Sequence, residues 1–290
     1  MNKNLLKKFS FNSNKEDYLP FFIHNGYLVF KNIFSKKYSN SLLKFILSKR
    51  KIIEKKYKNV DTELMCISII DLLEKNELYD EFCFNKNLQK ILIDILGQEL
   101  CILNFPHLWI NKPNNKDPVL IKTPHVDAWT GTSVNSLFAV YMVTESDQYN
   151  SITVYPGSHL LGLVPTKNRT INNEDYNIEF KNSINLKLDK GDLIIWHSLL
   201  LHKTTGQSKN NERISITLRY SSTETLFSSQ ERSIGYRCIN TGPLNTIKRY
   251  IGNDQLYPFR LYGGYPGIDQ RLKKVYKFGN YKKTKKIEIK

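Results

Sequence analysis

His125 and Asp127 stand two apart in the stretch "IKTPHVDAWTG". In an extended segment alternate side chains share a face, so the imidazole and the carboxylate project together, their Cα atoms roughly 7 Å apart. An imidazole nitrogen and a carboxylate oxygen are both competent ligands for a divalent first-row metal. Two ligands do not make a site, and His-x-Asp also arises by chance on solvated edge strands, so a further donor has to come from elsewhere in the chain.

Six histidines are present: His24, His107, His125, His159, His197 and His202. The segment "GDLIIWHSLLLH" carries two of them, His197 and His202, in an otherwise apolar run. At least one should face the interior, where a histidine usually has only a structural hydrogen-bond partner. Eleven residues beyond His202, Arg213 opens "RISITLRYS", with Ser215 on the same face of the expected strand. A guanidinium near a protein interior is costly unless an anion meets it, and its planar fork suits a carboxylate held bidentately. His125, Asp127, His202 and Arg213 therefore make a coherent set. Two imidazoles and one carboxylate would hold a metal in the facial arrangement of non-haem Fe(II) oxygenases, with open positions, and the arginine would hold an acid bound to it. On a continuous strand His197 would face away from His202, which leaves it as the alternative ligand. Arg219 shares the parity of Arg213 and is the alternative anion clamp. His159 ends "YPGSH", where Pro156 and Gly157 mark a turn, and reads as a turn residue. Trp129 and Lys122 flank the His-Val-Asp motif as packing, rim or cosubstrate contact.

The elements that must position these residues change character along the chain. Up to about residue 100 the pattern is mostly helical. "SKKYSNSLLKFILSKRKIIEKKYK" places Leu42, Leu43, Phe45, Ile46, Ile52 and Ile53 at helical spacings behind a serine N-cap, and "NKNLQKILIDILGQEL" repeats the idea before Gly97. "GYLVFKNIFS" reads as a short strand entering a helix. From Cys101 to about residue 220 the segments are short, extended and separated by Asn, Gly, Pro, Asp and Lys, without intervening helices: "CILNFPHLWIN", "PVLIKTPHVDAW", "SLFAVYMVT", "SITVYPGSH", "INLKL", "DLIIWHSLLLH" and "RISITLRYS". That pattern predicts an antiparallel sandwich or barrel with flanking helices. Residues 221–290, rich in Gly, Pro and Tyr, read as an appendage packed on it. Nothing in the sequence marks an internal repeat or a linker, so 1–290 is expected to be one domain.

Composition narrows the function classes. The 290 residues are 40% hydrophobic and 12% aromatic, ample for a packed core. The four cysteines include no Cys-x-x-Cys pair and suggest neither a zinc cluster nor a disulfide framework. A signal-peptide core and an apolar run of about 18 residues are both lacking, so a soluble cytoplasmic protein is expected. The formal charge of +16 raises the question of nucleic acid. The lysines, however, are spread among asparagines and isoleucines along the whole chain, and the densest runs, "SKRKIIEKKYK" and "YKKTKKIEIK", read as a helix face and a solvated tail. Nucleic acid is not the expected partner, although a positive field would attract an anionic small molecule.

Taken in order, "NGYLVFKNIFS", "HVD", "NSITVYPGSH", "GDLIIWHSLLLH" and the arginine at 213 resemble the phytanoyl-CoA dioxygenase-type Fe(II)/2-oxoglutarate oxygenases, over roughly residues 18–220. The resemblance is patchy between 57 and 100. It implies a double-stranded β-helix (jelly-roll, cupin-like) barrel. It also implies Fe(II) on His125, Asp127 and His202, and 2-oxoglutarate with its distal carboxylate on Arg213, with the Thr204 and Ser215 hydroxyls placed to assist. O2 would be consumed as 2-oxoglutarate is decarboxylated to succinate and a small-molecule substrate is oxidised. Many relatives have Gln where this chain has Val126, and "NG" where it has Asn150-Ser151; these departures touch substrate or loop contacts rather than the metal. Halogenating relatives replace the carboxylate with a small residue, so Asp127 favours hydroxylation or a related oxidation. Tyr236, Arg237, Arg260, Tyr262 and Tyr265 would cap the pocket and favour an anionic ligand. The rival readings are a metal-dependent isomerase or non-catalytic cupin-like barrel, which would not need Arg213, and a basic nucleic-acid-binding protein.

Overall fold

The computed structural model describes residues 3–103, 106–113, 123–128, 133–164, 166–167, 170–171, 183–205, 210–222, 224–225 and 236–251. In chain order the elements begin with β1 (Phe9–Ser10), α1 (Lys15–Asn25), β2 (Tyr27–Lys31), α2 (Lys36–Lys56), α3 (Thr62–Leu73), α4 (Glu77–Cys83) and α5 (Lys86–Leu96). Then follow β3 (Leu100–Leu103), β4 (His107–Asn111), β5 (Ser136–Met142), β6 (Ile152–Val154), β7 (Thr166–Lys167), β8 (Thr170–Ile171), β9 (Ile184–Leu186), β10 (Leu193–His197), β11 (His202–Thr204), β12 (Arg213–Ser222), β13 (Tyr236–Asn240) and α6 (Pro243–Tyr250). Among the described residues no helix is long and apolar enough to cross a membrane.

The helices start where a polar side chain can take an orphan N–H. Ser35 accepts from Tyr38 at the head of α2, Asp61 from Glu63 and Leu64 at α3, Asn76 from Leu78 at α4, and Asn85 from Leu88 at α5. α1 ends at Gly26, whose φ of 78° lets its N–H reach back to the Phe22 carbonyl. On α2, Leu42, Ile46 and Ile53 are buried as the spacing predicts, whereas Ile52 is 45% exposed. α1, α3 and α4 also lie within the first hundred residues, where the sequence pattern is mostly helical.

The large sheet runs β1-β2-β10-β5-β12-β3-β13, with β4 also paired to β12, and the small sheet runs β11-β6-β9. Alternation along the strands gives the large sheet two working faces. Leu137, Ala139, Tyr141, Ile214, Ile216, Leu218 and Tyr220 belong to the core cluster that also contains the buried residues of α1 to α5. The other face carries Val29, Phe138, Val140, Met142, Ile194 and Trp196, clustered with Ile152, Val154, Ile184 and Leu186 of the small sheet. The architecture is thus sheet-rich with flanking helices, and a second core lies between two sheets.

β12 breaks the apolar pattern on that second face. Its alternate residues there are Arg213, Ser215, Thr217 and Arg219, all buried; Ser215, Thr217 and Arg219 lie opposite Met142, Val140 and Phe138 of β5. On β4 the facing residues are Asn111, Trp109 and His107. The Trp109 indole N–H donates to Thr217 Oγ1 at 3.2 Å. A polar strip inside a buried space costs free energy unless every group is satisfied or reserved for a ligand.

Candidate metal centre

"DLIIWHSLLLH" does not form one strand. β10 ends at His197 in the large sheet, a turn closed by the Leu200 N–H on the His197 carbonyl follows, and β11 begins at His202 in the small sheet. The two histidines are therefore parted by a change of sheet, and the parity argument that separated them does not apply. The His-Val-Asp motif is likewise not a regular strand. His125 forms an isolated antiparallel bridge to His202, each backbone N–H donating to the other's carbonyl at 3.0 Å. The Asp127 and Ala128 N–H groups both donate to the Ser198 carbonyl, at 2.9 and 3.0 Å. The turn that carries the chain between sheets thus anchors the motif, and the backbone brings the three side chains together before any ion is involved.

One ligand atom from each of His125, Asp127 and His202 lies within 4.8 Å of the other two, and all three residues are buried. His202 Nε2 is 3.5 Å from Asp127 Oδ2, and the two imidazole rings are 4.3 Å apart. The tautomers follow from the partners. His125 Nδ1 lies 3.0 Å from the Thr123 carbonyl and His202 Nδ1 lies 3.0 Å from the Leu200 carbonyl. A carbonyl only accepts, so each Nδ1 carries the proton and each Nε2 offers its lone pair. This orientation of both rings by a backbone acceptor on the far nitrogen is the support that metal-bound histidines characteristically have. Burial, and then the neighbouring His202, push the His125 imidazolium down to about 4, against the pull of Asp127 and the Thr123 carbonyl, so this ring is neutral at pH 7. The donor set fits a divalent metal.

Trp196, which the sequence placed only within an apolar strand, supports the carboxylate. Its indole N–H donates to Asp127 Oδ2 at 2.9 Å, its ring lies parallel to Phe138 at 6.2 Å, and it packs 4.7 Å from the His202 ring. His197 lies outside the cluster. Its Nδ1 accepts from the Leu199 N–H at 3.2 Å and its ring faces His159 at 5.7 Å. His159, in a 3-10 turn at Ser158–Leu161, meets the Ile23 carbonyl through Nε2 at 3.0 Å and packs on Gly26, where a Cβ would come within 2.5 Å of its Nδ1. It closes the α1–β2 corner.

Arg213 is 4% exposed, and among the described residues no carboxylate pairs with it. Its neighbour Glu212 faces the other way and takes Arg50 Nη1 at 2.6 and 2.8 Å. Burial pushes the Arg213 guanidinium down to about 10, which still leaves it charged at pH 7. Asn111 of β4, with its amide oxygen turned to the guanidinium, accepts from Nε at 3.1 Å and also from Nη2. Nη1 remains buried without a partner among the described residues. Thr204 lies two residues beyond His202 in β11, on the same face, and Ser215 lies two beyond Arg213 in β12. Arg219 meets His107 Nε2 through Nη2 at 2.8 Å and lies over Phe138 at 5.1 Å. Trp129, Lys122, Arg260, Tyr262 and Tyr265 fall outside the described residues.

The family model described as phytanoyl-CoA dioxygenase (PhyH) matches residues 22–214. Among solved structures, the chain is similar to a non-heme monooxygenase, ThoJ in its apo form, with a TM-score of 0.61 at 13% identity, covering 89% of this chain and 98% of that one. It is similar to the epimerase SnoN in complex with Fe3+, alpha ketoglutarate and nogalamycin RO, with a TM-score of 0.58 at 14% identity, covering 79% of this chain and 96% of that one. A third similar structure is the non-heme alpha ketoglutarate dependent carbocyclase SnoK, with a TM-score of 0.57 at 12% identity, covering 78% and 91% of the two chains. No curated protein matches the sequence.

Proposed function

Because the chain belongs to the phytanoyl-CoA dioxygenase family, we propose that it is an Fe(II)- and 2-oxoglutarate-dependent dioxygenase that hydroxylates or otherwise oxidises a small molecule within a double-stranded β-helix. The observation that carries this reading is the pairing of two features in one fold. One is a compact, pre-oriented His125–Asp127–His202 cluster. The other is Arg213, a buried guanidinium charge with an open Nη1 and no carboxylate partner among the described residues. A metal-dependent isomerase that uses no 2-oxo acid needs only the first. The second costs stability unless an acid occupies it, and a five-carbon 2-oxo diacid would place one carboxylate there.

In this reading His125 Nε2, His202 Nε2 and an Asp127 oxygen hold the iron. When bound, iron with 2-oxoglutarate and O2 supplies the oxidising power, by decarboxylating 2-oxoglutarate to succinate and CO2. The protein's own contribution is positional. The Thr123 and Leu200 carbonyls fix both tautomers, the Trp196 N–H fixes the carboxylate, and the buried sheet faces restrict water at the site. Arg213 would meet the distal carboxylate of the cosubstrate, and the Thr204 and Ser215 hydroxyls, each two residues along the same strand face from His202 and Arg213, would assist it. Arg219 adds a second guanidinium to the same face, where it meets His107 and lies over Phe138.

The test is anaerobic binding of 2-oxoglutarate to the Fe(II)-loaded protein, followed by succinate release on admitting O2 without added substrate. Binding with slow succinate formation is expected. Metal binding with neither cosubstrate binding nor succinate would return the chain to the isomerase or non-catalytic class.

A further inference from the structure

A guanidinium presents two edges to a planar acid: the side-on edge made by Nε and one Nη, and the end-on edge made by the two Nη groups. In this chain Asn111 occupies the first. Its amide oxygen accepts from both Nε and Nη2 of Arg213, so that only Nη1, at the end-on edge, is buried without a partner among the described residues. The two residues are direct cross-strand partners, Arg213 at the first position of β12 and Asn111 at the last of β4, and Asn111 is itself 3% exposed. Both side chains are buried, and re-orienting either one breaks the hydrogen bonds between them.

The choice of residue type at 111 is also informative. An aspartate there would make the same two hydrogen bonds and neutralise the buried charge, which is the ordinary way to stabilise an internal arginine. Asparagine gives the geometry and leaves the charge unspent. We infer that Asn111 is the positioning residue for the cosubstrate carboxylate: it locks Arg213 by its side-on edge and presents the end-on edge, still cationic, to the distal carboxylate of 2-oxoglutarate. This rests on the reading of Arg213 as the cosubstrate clamp. It also revises the expectation of a free fork, since one of the two edges is already taken inside the protein.

The experiment compares two 2-oxo acids on the anaerobic Fe(II)-loaded protein by calorimetry. 2-Oxoglutarate carries the distal carboxylate, and 2-oxobutanoate chelates metal in the same way without it. The wild type should prefer 2-oxoglutarate by at least about tenfold, the order expected of a charge-assisted hydrogen bond. Asn111→Asp should erase most of that preference by lowering 2-oxoglutarate affinity about tenfold or more, leave 2-oxobutanoate binding within about twofold, and raise the melting temperature of the metal-free protein. Asn111→Ser, which removes the tether without adding charge, should lose part of the preference and serves as the decisive variant if Asn111→Asp does not fold. A full preference retained in both variants, or equal loss of both ligands, makes Asn111 merely structural and overturns the inference. Absence of any preference in the wild type instead overturns the assignment of Arg213, and with it the proposed cosubstrate.

Discussion

Trp196→Phe tests one hydrogen bond of the candidate metal centre. Phenylalanine keeps an aromatic ring against Phe138 and beside His202, and removes the indole N–H that donates to Asp127 Oδ2 at 2.9 Å, together with the smaller part of the buried bicyclic ring. That oxygen is the one 3.5 Å from His202 Nε2, so it faces the space the metal would fill. A buried hydrogen bond to a charged group is worth about 1.5–3 kcal/mol, and loss of an outer-shell partner typically weakens metal binding about 10–100-fold, equivalent to about 1.4–2.7 kcal/mol. The two ranges agree, and the expected loss of Fe(II) affinity in Trp196→Phe is accordingly about 10–100-fold. The assay is anaerobic Fe(II) titration against a competing chelator, repeated with Mn(II), with the melting temperature of each metal-free protein as the control for packing. The comparison matters because the carboxylate also loses a donor in the metal-free state, and only the difference between loaded and metal-free proteins reports on the ion. Metal affinity within about twofold of wild type in a well-folded Trp196→Phe protein would refute the argument that the indole holds the ligand.

His202→Ala and Asp127→Ala should each abolish stoichiometric Fe(II) binding, whereas His197→Ala should retain it; the reverse result in the same titration would move the ligand to His197. Arg213→Lys keeps a charge but not the fork, and its 2-oxoglutarate affinity should fall at least about tenfold by calorimetry. His197 is pushed down to about 4 by burial and then by neighbouring His159, from an ordinary value of 6.5. In the window between those values the unfolded chain binds the proton that the folded chain refuses. The corresponding stability is therefore present above about pH 6.5 and lost as pH falls toward 4, on the order of 3 kcal/mol. Denaturant unfolding of the metal-free protein should show this loss, and His197→Gln should make the acid limb shallower. Changing Lys44, Lys51, Lys55 and Lys56, which are exposed on α2, to Gln should leave succinate production unchanged, since charges beyond about 8–10 Å are screened at physiological salt. Tight, salt-sensitive RNA or DNA binding lost in that variant would instead make nucleic acid a partner.

The His125–Asp127–His202 cluster was legible because its chemistry is carried by rare residue types. Histidine occurs six times in 290 residues, and an apolar run interrupted by imidazoles, followed by an arginine opening the next strand, has few physical explanations. The helical stretches 36–56 and 86–96 were legible for a different reason: apolar spacing and a Ser or Asn cap are local properties. The break between β10 and β11 was not, because no Gly or Pro marks it. The turn is made by "SLLL", and what holds it is non-local: the Ser198 carbonyl takes two N–H groups from residues 127 and 128, and the Leu201 N–H donates to Ser158 Oγ. Reading His197 and His202 on one strand therefore put the right question in the wrong geometry.

The supporting residues show where local pattern stops carrying information. Trp196 follows three apolar residues in β10, and its indole serves that core as well as Asp127, so burial alone explained it. Asn111 left a fainter trace. Along "HLWIN" the residues of one face are His, Trp and Asn, and along "RISITLR" those of one face are Arg, Ser, Thr and Arg. Each strand by itself resembles an edge with a solvated side, the usual reason for alternation. Pairing the two strands, with Arg213 opposite Asn111 and Thr217 opposite His107, buries the polar face of β12 together with Asn111, while Trp109 and His107 stay half-buried, and for the buried part solvation no longer explains the alternation. A buried polar strip that is nearly satisfied but keeps part of a cation open is suited to something anionic, and among the described residues Nη1 of Arg213 is such an open position.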